Sequence, residues 1–192
     1  MPRFPSALLP PRRMSRARRQ RVRAWTGLGL ALVGALALLL LVRQRGQREI
    51  RLLVKEAAIE AGLDPLLVEA VMRAESSGNP RAVSRAQAYG LMQLRLPTAE
   101  EMAGRRLDPE DLFDPSLNLE LGCRYLRRLL DRYKDLRLAL MAYNAGPGNL
   151  DRWRRLTPDP GEILGQHAFA ETRAYVAKVL ATHAVLVTDP PG

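Results

Sequence analysis

The chain has 192 residues, 47% of them hydrophobic, which excludes a wholly disordered protein and leaves room for one ordinary domain plus an appendage. A net charge of +10 suggests nucleic acid until it is divided: residues 1–51 carry 12 Arg and one Glu, and the remainder sums to −1. The basicity belongs to an N-terminal arm, so no nucleic-acid partner is expected for the globular part.

In chain order, residues 1–23 form an Arg-rich arm with eight Arg. Residues 24–42, "AWTGLGLALVGALALLLLV", run uncharged for 19 residues. As a helix that run spans about 28 Å at ~1.5 Å per residue, which predicts a single transmembrane helix. The Arg-rich flank assigns the N-terminus to the cytoplasm, so everything from residue 50 onward is expected on the periplasmic, extracytoplasmic side of the inner membrane. "LLLLVRQRGQRE" lacks a small-x-small cleavage pattern, which favours an anchor over a cleaved leader.

Residues 43–49 read as a short basic linker, and 50–187 as the folded domain. Within it a helix over about 48–61 is stopped by Gly62, and Asp64-Pro65 opens the next. Thr98 and Glu101 make a capping-box pattern for a helix over 98–105. Asp114-Pro115 opens a long helix to about Tyr133, "DLRLALMAYNAG" is a helix stopped at Gly146, and Pro147 starts another through Arg155. A last helix covers about 168–187, and 188–192 is a tail. No segment alternates apolar and polar residues over a strand's length, so the expected fold is all-α. The long irregular stretch is 76–89, a length that in compact domains usually serves binding or catalysis.

The single Cys123 permits no intramolecular disulfide and sits among apolar helix residues, which reads as buried. His167 and His183 have no ligand-spaced partners, so no metal is expected.

The chemistry concentrates at Glu75. On a helix running from Pro65, successive residues turn by about 100°, so Glu75 falls about 20° from Val68 and about 40° from Val71. Glu69 and Arg73 lie about 120° and about 160° away and are expected to point from the core. An acid on the apolar stripe loses the hydration that favours its ionised form, which suits a proton donor near neutral pH. A frayed helix end with a solvated Glu is the alternative. Small residues follow (Ser76, Ser77, Gly78, Asn79), leaving space for a cleft. "GLMQ" (90–93) offers a close backbone approach and an amide, "MAYNAGPG" (141–148) an aromatic hydroxyl beside an amide, and "ETRAYV" (171–176) places Glu171 and Tyr175 on one helix face. Each of these has a structural alternative: core, helix cap or surface pair.

The order Glu75-Ser76, Ser84, "GLMQ", "AYNAGPG", "ETRAYV" resembles the catalytic domain of soluble lytic transglycosylases, relatives of goose-type lysozyme, over about residues 50–187. The resemblance implies a helical lysozyme-like fold and cleavage of the MurNAc-β-1,4-GlcNAc bond of peptidoglycan glycan strands without a cofactor. It implies that Glu75 is the single catalytic acid/base, protonating the glycosidic oxygen and then deprotonating the muramyl 6-hydroxyl to close a 1,6-anhydro ring. By the same resemblance Ser84 and Gln93 bind the saccharide, Tyr143 and Asn144 line the cleft, and Glu171 is the acidic residue of the last helix. Two departures stand out: Arg95 replaces an apolar Met position after "GLMQ", and Arg85 and Gln87 stand where Pro and Gly are usual. A lysozyme-type hydrolase on the same fold and a non-catalytic cell-wall-binding module are the alternative functions.

Overall fold

The protein is described by a computed structural model covering residues 16–189, with side chains from residue 33 onward. Residues 1–15 of the expected arm and 190–192 of the expected tail lie outside the described residues. The chain divides into two compact units, 1–46 and 47–192.

Helix α1 (Arg16–Glu60) is helical through residues 43–49, where a linker was the expectation. Arg, Gln and Glu are good helix formers, and Gly46 alone opposes them. Of the expected membrane span, residues 24–32 lie outside the described side chains. Among the described residues no helix is long and apolar enough to cross a membrane. In the first unit Val33, Leu36 and the run from Leu38 to Val42 are each at least half exposed.

In the second unit the end of α1 gives Val54, Ala57 and Ala58 to the core, and Gly62 ends the segment at φ +65°. Asp64 then caps α2 (Pro65–Ser76), its Oδ1 accepting from the Leu66 N–H at 2.9 Å. Six consecutive residues of α2, Leu67 to Met72, are buried. Glu69 is among them at 6% exposure, contrary to the expectation that it faces water. It is tolerated because its Oε1 accepts from Arg73 Nη2 at 2.5 Å, one turn along the same helix.

The stretch after α2 turns back on itself through a minimal antiparallel ladder, β1 (Ala88–Tyr89) with β2 (Leu94–Arg95), to which Val83 adds a bridge opposite Tyr89. These two-residue strands correct the expectation of no strand, and they are too short to show period-2 alternation. Between them Gly90 sits at φ +76°, and a Cβ there would come 2.2 Å from Leu112 O and 2.4 Å from Asn118 Nδ2. Asn118, fully buried, ties this corner: its Oδ1 accepts from the Met92 N–H at 2.7 Å, while Nδ2 donates to Tyr89 O at 3.0 Å and Leu112 O at 2.9 Å.

Helix α3 (Leu96–Ala103) starts two residues before Thr98, with Arg95 as N-cap and no side-chain cap bond. The Thr98–Glu101 capping box does not form, because Pro97 already opens the helix, and Glu101 instead accepts from Arg128 Nη1 at 2.5 Å. A 3₁₀ turn (Pro109–Phe113) precedes α4 (Pro115–Tyr133), which Asp114 caps and which carries buried Cys123. Then come α5 (Leu136–Ala145), α6 (Pro147–Arg154), a short turn α7 (Pro160–Glu162) running into a π turn (Ile163–His167), and α8 (Ala170–Thr188). α2 packs most extensively on α8, while α4, α6 and α8 all pack on α5.

Gly90 and Gly62 have similar positive φ, but nothing lies within 4 Å of a Cβ at Gly62. Gly62→Ala is expected to cost only the backbone term, about 1–2 kcal/mol. Gly90→Ala must also displace Asn118, adding its lost hydrogen bonds for a total above about 4 kcal/mol. Urea unfolding of the two variants measures the difference.

Candidate active site

The site starts from how α2 ends. Its N-cap, Asp64, places Oδ2 2.7 Å from His183 Nε2 on α8. Burial pushes the Asp64 carboxyl up, but the bond to His183 and the Leu66 N–H outweigh it and hold the group below its usual range. At the other end the chain leaves the helix through Ser77 at φ +54°, and the Gly78 N–H donates to Ser76 Oγ at 3.2 Å rather than continuing the ladder. That leaves the Ala74 carbonyl to be satisfied from outside. Lys178 Nζ on α8 supplies the bond at 2.9 Å, across 104 residues of sequence. The helix bearing Glu75 is therefore tied to α8 at both ends.

Between those ties lies Glu75, partly buried, as its place on the apolar stripe implies. Burial pushes its carboxyl up to about 7, while Tyr175 and the Lys178 ammonium pull it down and the Glu171 charge pushes it up again. Tyr175 Oη is buried and, among the described residues, has no partner in hydrogen-bond geometry, although it lies close enough to act on Glu75. Burial, followed by the neighbouring Glu75 charge, keeps both Tyr143 and Tyr175 well above the usual phenol range, so both remain donors. An acid half-protonated near pH 7 beside two neutral phenols can deliver a proton and then hold the resulting charge.

Beside it a cleft of about 250 Å³ is lined in part by Gln93, Arg95, Thr98, Tyr125, Tyr143 and Asn144. Of the residues expected from sequence, Gln93, Tyr143 and Asn144 meet here. Gln93 is held at φ +48° while its Nε2 donates to Ala82 O at 3.1 Å and Gly90 O at 3.0 Å. Tyr143 donates to Met92 O at 2.9 Å, and its ring tilts against Tyr125 at 5.2 Å. Asn144 Oδ1 accepts from Thr172 Oγ1 at 2.8 Å. Ser84 is not among these lining residues: its Oγ accepts from the Ala88 N–H at 3.1 Å and shapes the loop. Glu171 is exposed in the first turn of α8 and reaches Glu75 through its charge. Gln87 adopts φ +56°, the conformation that the usual Gly takes without strain, and Arg95 projects at the cleft.

Sequence reasoning did not single out Lys178, Tyr125, Thr172 or Asn118, and read Tyr175 only as the helix-face neighbour of Glu171. The signal was present for two of them: Glu171, Tyr175 and Lys178 follow an i, i+4, i+7 stripe. Cys123 is buried and its thiol is pushed up to about 12, which keeps it out of nucleophilic chemistry.

The larger cavity of the second unit, about 360 Å³, lies elsewhere, between α1 and α2. The 250 Å³ cleft is the one joined to Glu75, since Tyr143 both lines it and feels the charge of that carboxyl.

A family model described as Transglycosylase SLT domain matches residues 53–164, which takes in Glu75, "GLMQ" and "AYNAGPG" and stops short of "ETRAYV". A transglycosylase of Enterobacteria phage PRD1 is 39% identical over 108 residues, 56% of this chain and 39% of that protein. The membrane-bound lytic murein transglycosylase C of Photorhabdus laumondii is 35% identical, covering 66% of this chain and 43% of its own length. Among solved structures, an inactive Glu-to-Gln mutant of lytic transglycosylase Slt from Pseudomonas aeruginosa is 32% identical with a TM-score of 0.65, over 74% of this chain and 25% of that one. The chain thus spans about two fifths of the length of these two relatives.

Two outcomes follow from the electrostatics. Because the folded value for Glu75 lies above its ordinary 4.5, the unfolded state loses its proton first as pH rises. Stability therefore falls between about pH 4.5 and about pH 7, by ~3 kcal/mol in all. Glu75→Gln is expected to remove that slope in urea unfolding at pH 5 and pH 8. Lys178→Met removes the opposing cation and should raise the Glu75 titration midpoint further, read by carbon-13 NMR of labelled Glu, whereas Lys178→Arg should restore it.

Proposed function

The chain belongs to the Transglycosylase SLT domain family, and on that premise we propose that it is a peptidoglycan lytic transglycosylase held at the membrane by its N-terminal helix. The observation that carries the reading is the placement of Glu75, a carboxyl largely kept from water among Tyr175, Lys178 and Glu171, where burial pushes it up to about 7. A carboxyl raised in this way is present in both protonated and ionised forms near neutral pH, so the same group serves as acid in one step and base in the next. Glu75 protonates the oxygen between MurNAc and GlcNAc as the bond breaks. Its carboxylate, eased by Lys178 and the Tyr175 hydroxyl, then takes the proton of the muramyl 6-hydroxyl, whose oxygen closes on C1 as a 1,6-anhydro ring. Atoms balance without added water.

Glycosidases with two catalytic carboxylates set them about 5–10 Å apart across the bond. The six cleft residues named above include no carboxylate, which favours internal stabilisation of the cation by the substrate's own acetamido group. Gln93, Asn144 and the Tyr143 ring suit a neutral polar sugar, and the Arg95 guanidinium suits an anionic group at its edge.

The anchor rests on the uncharged run at 24–42, on the Arg that precede it, and on the exposed apolar side chains from Val33 to Val42, which need cover. The catalytic unit would then work outside the cytoplasm, at the inner membrane.

Digestion of purified sacculi followed by mass spectrometry tests the reaction. Muropeptides with 1,6-anhydro ends are expected, and Glu75→Gln should lower turnover by about a thousand-fold with the fold intact. Reducing muramyl ends in place of anhydro ends would make the enzyme a lysozyme-type hydrolase. Turnover unchanged in Glu75→Gln would remove the acid from the mechanism.

A further inference from the structure

The half-open cavity between α1 and α2 has no part in the mechanism above, because its α2 wall is the face of Glu69 and Arg73, turned away from Glu75. The Glu69 side chain is only 7% exposed. Its Oε1 pairs with Arg73 Nη2 at 2.5 Å, while its Oε2 has no hydrogen-bond partner among the described residues and stays open to the cavity. The pair fixes the Arg73 guanidinium, which is 43% exposed and keeps N–H groups to spare. Opposite, Gln47 and Arg51 stand at i and i+4 on one face of α1, and Arg51 has no hydrogen-bond or ion-pair partner among the described residues. Two guanidinium groups against one carboxylate leave one positive charge in excess. The cavity therefore suits a monoanion that also carries a donor: the anion meets the guanidinium groups, and the donor meets Glu69 Oε2.

The preceding sequence supplies a source for such a ligand. Gln47 follows Val42, the last residue of the uncharged run, by five positions, so chain length alone keeps it within about 18 Å of the end of that run. Arg43, Arg45 and Arg48 add three positive charges over the same stretch with no acid among them, which draws an anionic bilayer surface. We propose that the cavity binds the headgroup of an anionic glycerophospholipid, a phosphodiester bearing a glycerol hydroxyl, from the leaflet in which the anchor ends. The inference rests on the anchor proposed above and adds a lipid site to it. Arg51 and Arg73 hold the phosphate, each guanidinium offering paired N–H groups to its oxygens. Glu69 Oε2 and the Gln47 carbonyl accept from the hydroxyls, and Ile50 and Met72 meet the glycerol carbons. At about 360 Å³ the cavity is at the small end of ligand pockets, which run roughly 300–1,000 Å³, and a headgroup without its acyl chains is a small ligand. A headgroup held there bridges α1 to α2 and gives the catalytic unit a second hold on the membrane.

Two measurements on the full chain test this. In the first, the chain in neutral maltoside micelles is titrated with dihexanoyl phosphatidylglycerol, with dihexanoyl phosphatidylcholine and with inorganic phosphate, while NMR follows the amide of Gly78, which lines the cavity. Saturable shifts are expected with phosphatidylglycerol, and at least about tenfold weaker binding of the other two. Arg51→Ala should weaken phosphatidylglycerol binding about tenfold and Arg51→Lys less. Arg48→Ala, which removes the same charge from α1 outside the cavity, should weaken it less than about twofold. An equal loss in Arg48→Ala reduces the effect to diffuse attraction by a basic segment, phosphatidylcholine or inorganic phosphate binding as tightly removes the hydroxylated anionic headgroup, and an unmoved Gly78 amide removes the site; each overturns the proposal. In the second, flotation with vesicles of phosphatidylcholine alone reads the anchor without the headgroup. A chain that floats but shows no response at Gly78 keeps the anchor and loses the lipid site, whereas one that responds at Gly78 and does not float loses the anchor and keeps the site.

Discussion

Everything in this domain that bears on chemistry depends on α2 being held against α8. A carboxylate in the last turn of a helix ordinarily swings into water and opposes the helix dipole, both of which make it a poor place for a proton donor. Here Asp64 and His183 close one end of the contact, Lys178 and the Ala74 carbonyl close the other, and Tyr175 fills the space between. Glu75 cannot escape hydration loss without α2 leaving α8. The Lys178 ammonium does two things at once, satisfying a carbonyl that the helix end leaves open and placing a cation beside the acid. One contact thus links helix termination, packing and the protonation state of the proposed acid.

A second constraint supports the first from across the cleft. Asn118 uses both donors and an acceptor on the backbone of Tyr89, Leu112 and Met92. Gly90 admits that amide because it lacks a Cβ, and Gly122, one turn further along α4, admits the Met92 side chain, whose Cβ would lie 2.6 Å from any Cβ placed there. The Met92 carbonyl, so fixed, receives the Tyr143 hydroxyl. A buried polar side chain with every bond made is rigid as well as stable, and this rigidity is passed to the ring lining the cleft.

The helices were legible because their punctuation is local. Asp64-Pro65 and Asp114-Pro115 fix boundaries through a side-chain capping bond and a preset φ, and Gly146-Pro147 through the preset φ alone, independent of what lies across the core. Glu75 was legible because the angle to Val68 and Val71 is a property of one helix. Glu69 was not, since its burial depends on what covers the other side of α2, which no single-helix argument contains. The same holds for Asn118, whose three partners lie 6 to 29 residues away, and for Lys178, whose partner lies 104 residues away. Thr98 and Glu101 had the right spacing for a cap but were outcompeted by Pro97, two signals of comparable strength one residue apart. The ladder of β1 and β2 carries no pattern at all at two residues per strand.

The cleft also shows why motif residues are poor guides to contact. Ser84 Oγ, Gln93 Nε2 and Asn144 Oδ1 are each engaged within the protein, on Ala88, on Ala82 and Gly90, and on Thr172. Such atoms are expensive to redirect, because a ligand taking one would leave a protein group unsatisfied. The valences left free at the cleft are the second ones, the Gln93 carbonyl and the Asn144 amino group, in orientations that the first bonds have already fixed. A ligand using them would pay little side-chain entropy, since the freedom was surrendered on folding. A motif of this kind specifies the direction of an unused donor or acceptor more than the contact itself, and replacing Asn144 by Asp would keep the bond from Thr172 while turning the outward donor into a charge.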